Sequence, residues 1–523
     1  MLTPASFDLT WLCLRFLGAA SLLGMITAGC RPAPAVSPSA PSVDSASAKT
    51  ARARALLEAG LRAQGTLTGR GPISIQFHGT HEELGHFEHP RELREYAYAG
   101  TVTFDVPRQE IRVATSLKRE DESYTSKQVV DPHRLYWLDY DETEPHAEGP
   151  TDVIRARYRL AELVPSSWIT LALAESDLRS ARTDVNGHAA DVVSFTDGSG
   201  MPRAIYLDAA THLALKVERT ESDDLFGDDV QATEYVDSRT VDGLVLPNRV
   251  LHKRLWYVEE ELTCTSAPGE VEHVTMGPVK LAEPAAAPKA TVERIGDGLF
   301  TIALPHLNNR TMFLELPEYV VAFEAPLTSA NGELIISTIE AATHGKPIRY
   351  LAMSHYHPDY TGGLRPFVAR GTHLVTTPGN VDYLAYLAQT PRTLDPDAQS
   401  RAPKAPVFDT VKGKRVLGEA PHTIEVYDIG RYTGHTDEYL VYYFPSEHLL
   451  FEGDLIGLRS GPVLEKAGKR ATGLLQAVDD LHLDVERIVE SWPLKDHVKT
   501  VPLTTLRQMV ALRREQEHVS TPR

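Results

Sequence analysis

His355-Tyr356-His357-Pro358-Asp359-Tyr360 closely follows the apolar run Ile348-Arg349-Tyr350-Leu351-Ala352-Met353. Two histidines and an aspartate alternate in it. In an extended segment residues i and i+2 point to the same side, so His355, His357 and Asp359 can converge at the end of a buried strand. That outlines a first-row metal site, and zinc suits imidazole combined with carboxylate. The glycines of Thr361-Gly362-Gly363 allow a sharp turn into a helix close to the metal.

Three further pieces extend the pattern. Tyr432-Thr433-Gly434-His435-Thr436 places His435 78 residues beyond His357. Leu449-Leu450-Phe451-Glu452-Gly453-Asp454 ends a strand on a carboxylate 19 residues further on. A late segment runs from Arg487 through Trp492 to His497. His306, His344, His373, His422, His448 and His482 fit no ligand spacing and read as ordinary core or surface histidines.

From about residue 292 to 505 these ordered motifs resemble the metallo-β-lactamase-fold hydrolases. The resemblance implies an αββα sandwich with its metal site at strand ends along one edge. It implies His355, His357 and His435 as ligands of a first metal. Asp454 matches the carboxylate that reaches a second metal, and Asp359 a ligand of that second site. The chain departs from the family pattern twice. Tyr360 stands where the family carries a histidine, and Trp492 sits near the place of the last one, with His497 a few residues late. A phenol is a poor ligand until deprotonated, and its ordinary pKa is about 10. Three imidazoles and a carboxylate still complete one site, so one zinc is expected, with Tyr360 and His497 as the candidates for a weak or empty second position.

The rest of the chain sets the context. At 523 residues there is room for two or three domains. A formal net charge of −18 argues against nucleic acid as the main partner. Residues 1–30 read as a signal: the run Phe16–Ala28 is short for a membrane span, and Thr27-Ala28-Gly29-Cys30 resembles a lipobox, with Cys30 the lipidated residue. Residues 31–50, rich in Pro, Ala and Ser, read as a disordered tether. With Cys13 removed and Cys30 lipidated, Cys264 stands alone, and its strand-like setting suggests a small core hydrophobe. Residues 51–282 carry short strands separated by turn signals, after a helix expected at 51–63, and predict an antiparallel sheet or half-barrel. Its hairpin texture loosely resembles LolA/LppX-like lipoprotein carriers. Glu283-Pro284-Ala285-Ala286-Ala287-Pro288 opens a linker, 283–291, before the α/β region 292–523.

The expected fold is therefore α+β. The expected function is a zinc-dependent hydrolase of the bacterial cell envelope, anchored through its N-terminal lipid and acting through a metal-bound water on a small-molecule or lipid-like substrate. Asp359 and Asp454 are the candidate proton-handling groups. The alternative is a non-catalytic envelope lipoprotein that binds an apolar ligand.

Overall fold

A computed structural model describes residues 44–120, 122–139, 146–267, 280–281 and 287–520. The signal, Cys30 and most of the tether lie outside the described residues. The first helix runs Asp44–Gln64 and so begins inside the stretch read as a tether. The last proline before it is Pro41, and the alanines that follow favour helix, so nothing holds the backbone extended from Asp44 onward.

Among the described residues the N-terminal sheet has fourteen strands, from Ile73–Leu84 to Lys280–Leu281. It is antiparallel except where its last strand joins His146–Glu148. The first strand pairs both with Leu93–Asp105 and with Tyr257–Ala267, which brings the two ends of the meander together. Helices at Pro150–Leu160 and Pro165–Leu173, each with proline in the first turn, pack on its inner face. The β-like texture of the flanking sequence hid them. Cys264 is buried in this core, and burial pushes its thiol up to about 12.

The second half is a four-layer αββα sandwich. One sheet has seven strands. It begins antiparallel with Thr291–Arg294, Leu299–Leu304, Asn309–Glu315 and Val320–Phe323, and continues parallel through Ile348–Ala352, His373–Thr376 and Val407–Thr410. The other has six, from Lys414–Glu419 to Val501–Pro502. Between them lies a dry core in which the Phe323 ring meets Tyr442, Phe444 and Phe451 edge-on at 5.0, 5.6 and 5.7 Å. Edge-to-face pairs of this kind contribute about 0.5–1.5 kcal/mol each beyond area burial. Helices Ser329–Ala342, Arg365–Arg370 and Val381–Gln389 cover the first sheet. Helices Lys469–Asp480 and Leu503–Ser520 cover the second.

Contacts between the two halves include the Trp256 ring edge-on to Tyr386 at 5.4 Å and two polar contacts. Asp228 accepts hydrogen bonds from the Thr393 and Leu394 backbone and from the Thr393 hydroxyl. The loop between the first two strands, residues 85–92, reaches the end of the strand that carries the histidines. No helix among the described residues is long and apolar enough to cross a membrane.

Candidate metal centre

His355 and His357 follow the buried parallel strand Ile348–Ala352. His357 caps a one-turn helix whose first residue is Pro358, a position where the missing N–H costs nothing. Thr361 ties this turn down by donating to the carbonyls of Tyr356 and His357 at 2.9 and 3.0 Å. His435 is set by Thr433, whose Oγ1 accepts from the His435 and Thr436 amides at 3.1 and 3.3 Å. Gly434 between them has φ +56°, a left-handed conformation that glycine adopts without strain. Asp454 follows the strand Leu449–Glu452 through Gly453, where a Cβ would stand 2.6 Å from the Tyr439 hydroxyl and 2.8 Å from Ser354 Oγ. The site therefore has room only for glycine there.

The ligand nitrogens of His355, His357 and His435 all lie within 4.8 Å of one another. Among the described residues no other group of three His, Cys, Asp or Glu side chains converges in this way. His355 Nε2 and His357 Nδ1 face each other at 3.0 Å. The outer nitrogens are engaged elsewhere: His355 Nδ1 meets Ser354 Oγ at 3.0 Å, and His357 Nε2 meets the Phe87 carbonyl at 3.3 Å. A carbonyl only accepts, so Nε2 carries the proton and the neutral His357 ring presents the Nδ1 lone pair inward. Burial keeps both rings neutral. His355 is pushed well below its ordinary value, and His357 down to about 3, with His435 and His86 adding to the effect on His357. His435 Nε2 is buried without a properly formed hydrogen bond. Three converging imidazoles, two of them held neutral by burial, fit a first-row metal ion.

Asp454 borders the triad. Its Oδ2 lies 3.2 Å from His435 Nε2 and 2.9 Å from Arg470 Nη1, and its Oδ1 accepts from the Tyr439 hydroxyl at 3.2 Å. Burial alone would raise its pKa, but His355, His435 and Arg470 together hold it well below the usual carboxylate range. His355 is itself neutral, so Arg470 is the permanent positive charge among these partners. Asp359 is half-buried, outside the 4.8 Å cluster, and its pKa is raised by burial against an opposing effect of His86.

The two candidates for a second position differ from each other. Tyr360 is buried against His355, ring centroids 4.3 Å apart, and burial, with Asp454 adding to it, raises its phenol well above 10. In that form the phenol ring packs on His355. His497 does not join the cluster: its Nδ1 faces the Lys495 carbonyl at 2.7 Å. The segment turns away after Ser491, whose hydroxyl donates to the Arg310 carbonyl at 2.5 Å.

Four contributors were not found in the sequence: Phe87, His86, Tyr439 and Arg470. The Phe87 carbonyl accepts from the Tyr356 hydroxyl at 2.8 Å as well as from His357, and the His86 ring stacks on His357 at 4.7 Å. Arg94 pairs with Glu88 and Glu92 and lies over the Phe87 ring, which stiffens the loop. The one available signal was the run of His78, His81, His86 and His89 around a hairpin turn. Nothing local distinguishes Arg470 or Tyr439.

The N-terminal sheet also encloses a cavity of about 610 Å³. Its wall includes Phe77, Leu117 and Leu262 but also Arg159, Glu162 and Arg219. Arg219 is ion-paired to Glu162, and His252 Nδ1 meets Glu260 at 2.5 Å.

An αββα sandwich with an imidazole triad at its strand ends defines a class of metal-dependent hydrolases. Residues 326–515 match the metallo-beta-lactamase superfamily, and this region of the chain is a domain of that superfamily. Solved structures similar to this chain include the metallo-beta-lactamase from Pontibacter korlensis, at 17% identity and TM-score 0.33, covering 44% of this chain and 100% of that one. The FIM-1 enzyme of Pseudomonas aeruginosa in its mono-zinc form is similar at 17% and TM-score 0.33, covering 45% and 99%. DIM-1 metallo-beta-lactamase follows at 14% and 0.32, covering 44% and 99%. No curated protein matches the chain.

Proposed function

We propose that this protein is a zinc-dependent hydrolase of the cell envelope that works with one metal ion, held by His355, His357 and His435. The observation that supports it most is the convergence of three buried ligand nitrogens within 4.8 Å, two of them with outer nitrogens already engaged. Zinc bound there would polarise a substrate oxygen and lower the pKa of water to about 7. The chain's own groups divide the remaining work. Asp454, fixed by Tyr439 and Arg470, orients what approaches the triad. Asp359, whose carboxylate accepts no side-chain hydrogen bond among the described residues, is the group free to take the proton. Tyr360 closes the floor and keeps water from the buried side of His355.

The envelope location rests on the run Phe16–Ala28 that ends at Cys30. Cys30→Ser should move the protein from the membrane to the soluble fraction, and an unchanged distribution would remove that part of the reading. The alternative, a carrier of an apolar ligand, is disfavoured by the ion pairs in the wall of the N-terminal cavity, since buried charges cost free energy that an apolar ligand cannot recover.

The decisive experiment measures metal content and activity on a panel of esters, thioesters, lactones, phosphoesters and sulfates. It uses the full chain in detergent beside His355→Ala. A chain that retains no zinc and shows no difference from the variant is not this enzyme.

A further inference from the structure

Asp454 has a cation beside it already. Its Oδ2 accepts from Arg470 Nη1 at 2.9 Å, and the same oxygen lies 3.2 Å from His435 Nε2. Arg470 comes from the start of the helix Lys469–Asp480, a segment with no part in the histidine motifs. Its side chain is 42% exposed, whereas the Asp454 side chain is 9% exposed, so Arg470 reaches from the buried carboxylate to solvent. Its bond to Asp454 uses one of five N–H donors. No other hydrogen bond of this side chain occurs among the described residues. Around it, the position beyond the first metal offers few further donors: Tyr360 packs on His355, and His497 points at the Lys495 carbonyl.

We infer that Arg470 is the fixed second cation of this centre: it neutralises Asp454 where a second metal ion would need that carboxylate, and it offers its remaining donors to an oxyanion on the substrate. The inference rests on the reading given under Proposed function and narrows it. A guanidinium is always charged, is weakly hydrated and matches carboxylate or phosphate oxygens in a two-pronged geometry. The substrate class is therefore a compound that carries a carboxylate, phosphate or sulfate close to the bond cleaved. Neutral esters and lactones should be turned over poorly. The ion pair also keeps Arg470 in place without substrate, so little side-chain entropy is lost on binding.

The test uses the full chain, loaded with zinc and then freed of excess ion. Native mass spectrometry counts the ions, and calorimetry measures affinity for inorganic phosphate and for acetate. The comparison is with Arg470→Ala and Arg470→Lys, both checked by circular dichroism. The expected result is one ion in the wild type and binding of at least one of the two anions. That affinity should fall about tenfold or more in Arg470→Ala, as for loss of a charge-assisted hydrogen bond. Arg470→Lys should recover part of it, because it restores charge without the fork. Two tightly held ions in the wild type would overturn the inference. So would anion affinity that ignores Arg470, or no binding of either anion. Two ions would also end the one-metal reading, whereas either anion result leaves that reading standing. A chain that takes up no ion sinks both readings.

Discussion

At the residue scale, three histidines converge and a tyrosine packs beside them. His355, His357 and His435 bring ligand nitrogens within 4.8 Å of one another, while Tyr360 brings a protonated phenol that packs on His355. Metal content separates these roles. His355→Ala should reduce bound zinc from one equivalent to nearly none by elemental analysis, because two imidazoles without the third leave an open, weak site. Tyr360→Phe keeps the ring and removes only the hydroxyl, so its zinc content should equal that of the wild type. A loss of zinc in Tyr360→Phe would make the phenol a ligand after all. The spacing of His355 and His357 was legible from sequence because ligands two residues apart on a strand end are a local property. The Phe87 carbonyl that fixes the tautomer of His357 was not, since it lies 270 residues away and is a backbone atom with no side-chain signature.

At the scale of elements, the loop 85–92 matters most. It belongs to the N-terminal sheet yet supplies the acceptor for His357 and the ring that stacks on it. Outer hydrogen bonds of this kind typically tune metal affinity by about 10–100-fold. Replacing residues 86–91 by a short Gly-Ser turn should weaken zinc binding by about that factor in a chelator competition. The melting temperature should move little, because the loop contributes little to either core. Unchanged zinc affinity would reduce the loop to a cover. Most strands and helices of the second half were recognisable from their apolar runs. The helices Pro150–Leu160 and Pro165–Leu173 were missed because two short helices between strands carry little periodicity of their own.

At the scale of the whole molecule, the sandwich buries two further carboxyls behind the site, one of them on the Ser354 amide beside His355. Glu324 and Glu490 are fully enclosed, and burial raises each from 4.5 to about 8, although Ser354 and Arg310 respectively oppose the rise. The folded state thus binds more protons than the unfolded state between those values. Their contribution to stability is full below about pH 4.5 and is lost as pH rises towards 8. Melting temperature should fall across this window. Glu490→Gln keeps the acceptor used by the Gly457 amide and removes the charge, so it should melt about 2–4 °C above the wild type at pH 9 and level with it at pH 5. Equal melting at both pH values would show that Glu490 is solvated when ionised.

By itself the sequence placed His355 and His357 together after a buried strand, and its resemblance to the metallo-β-lactamase fold implied the αββα sandwich and added His435 to the candidate ligands. The first follows from period-two alternation after an apolar run, which is local in the chain, whereas the sandwich and His435 follow from the ordered motifs that carry the resemblance. Tertiary structure alone decided what surrounds the donors. It put a carbonyl of the first sheet behind His357, a guanidinium of a late helix against Asp454, and the His497 side chain away from the site. The first two contacts join segments distant in sequence, and no residue pattern records which partner will close over a strand end once two separate cores have packed.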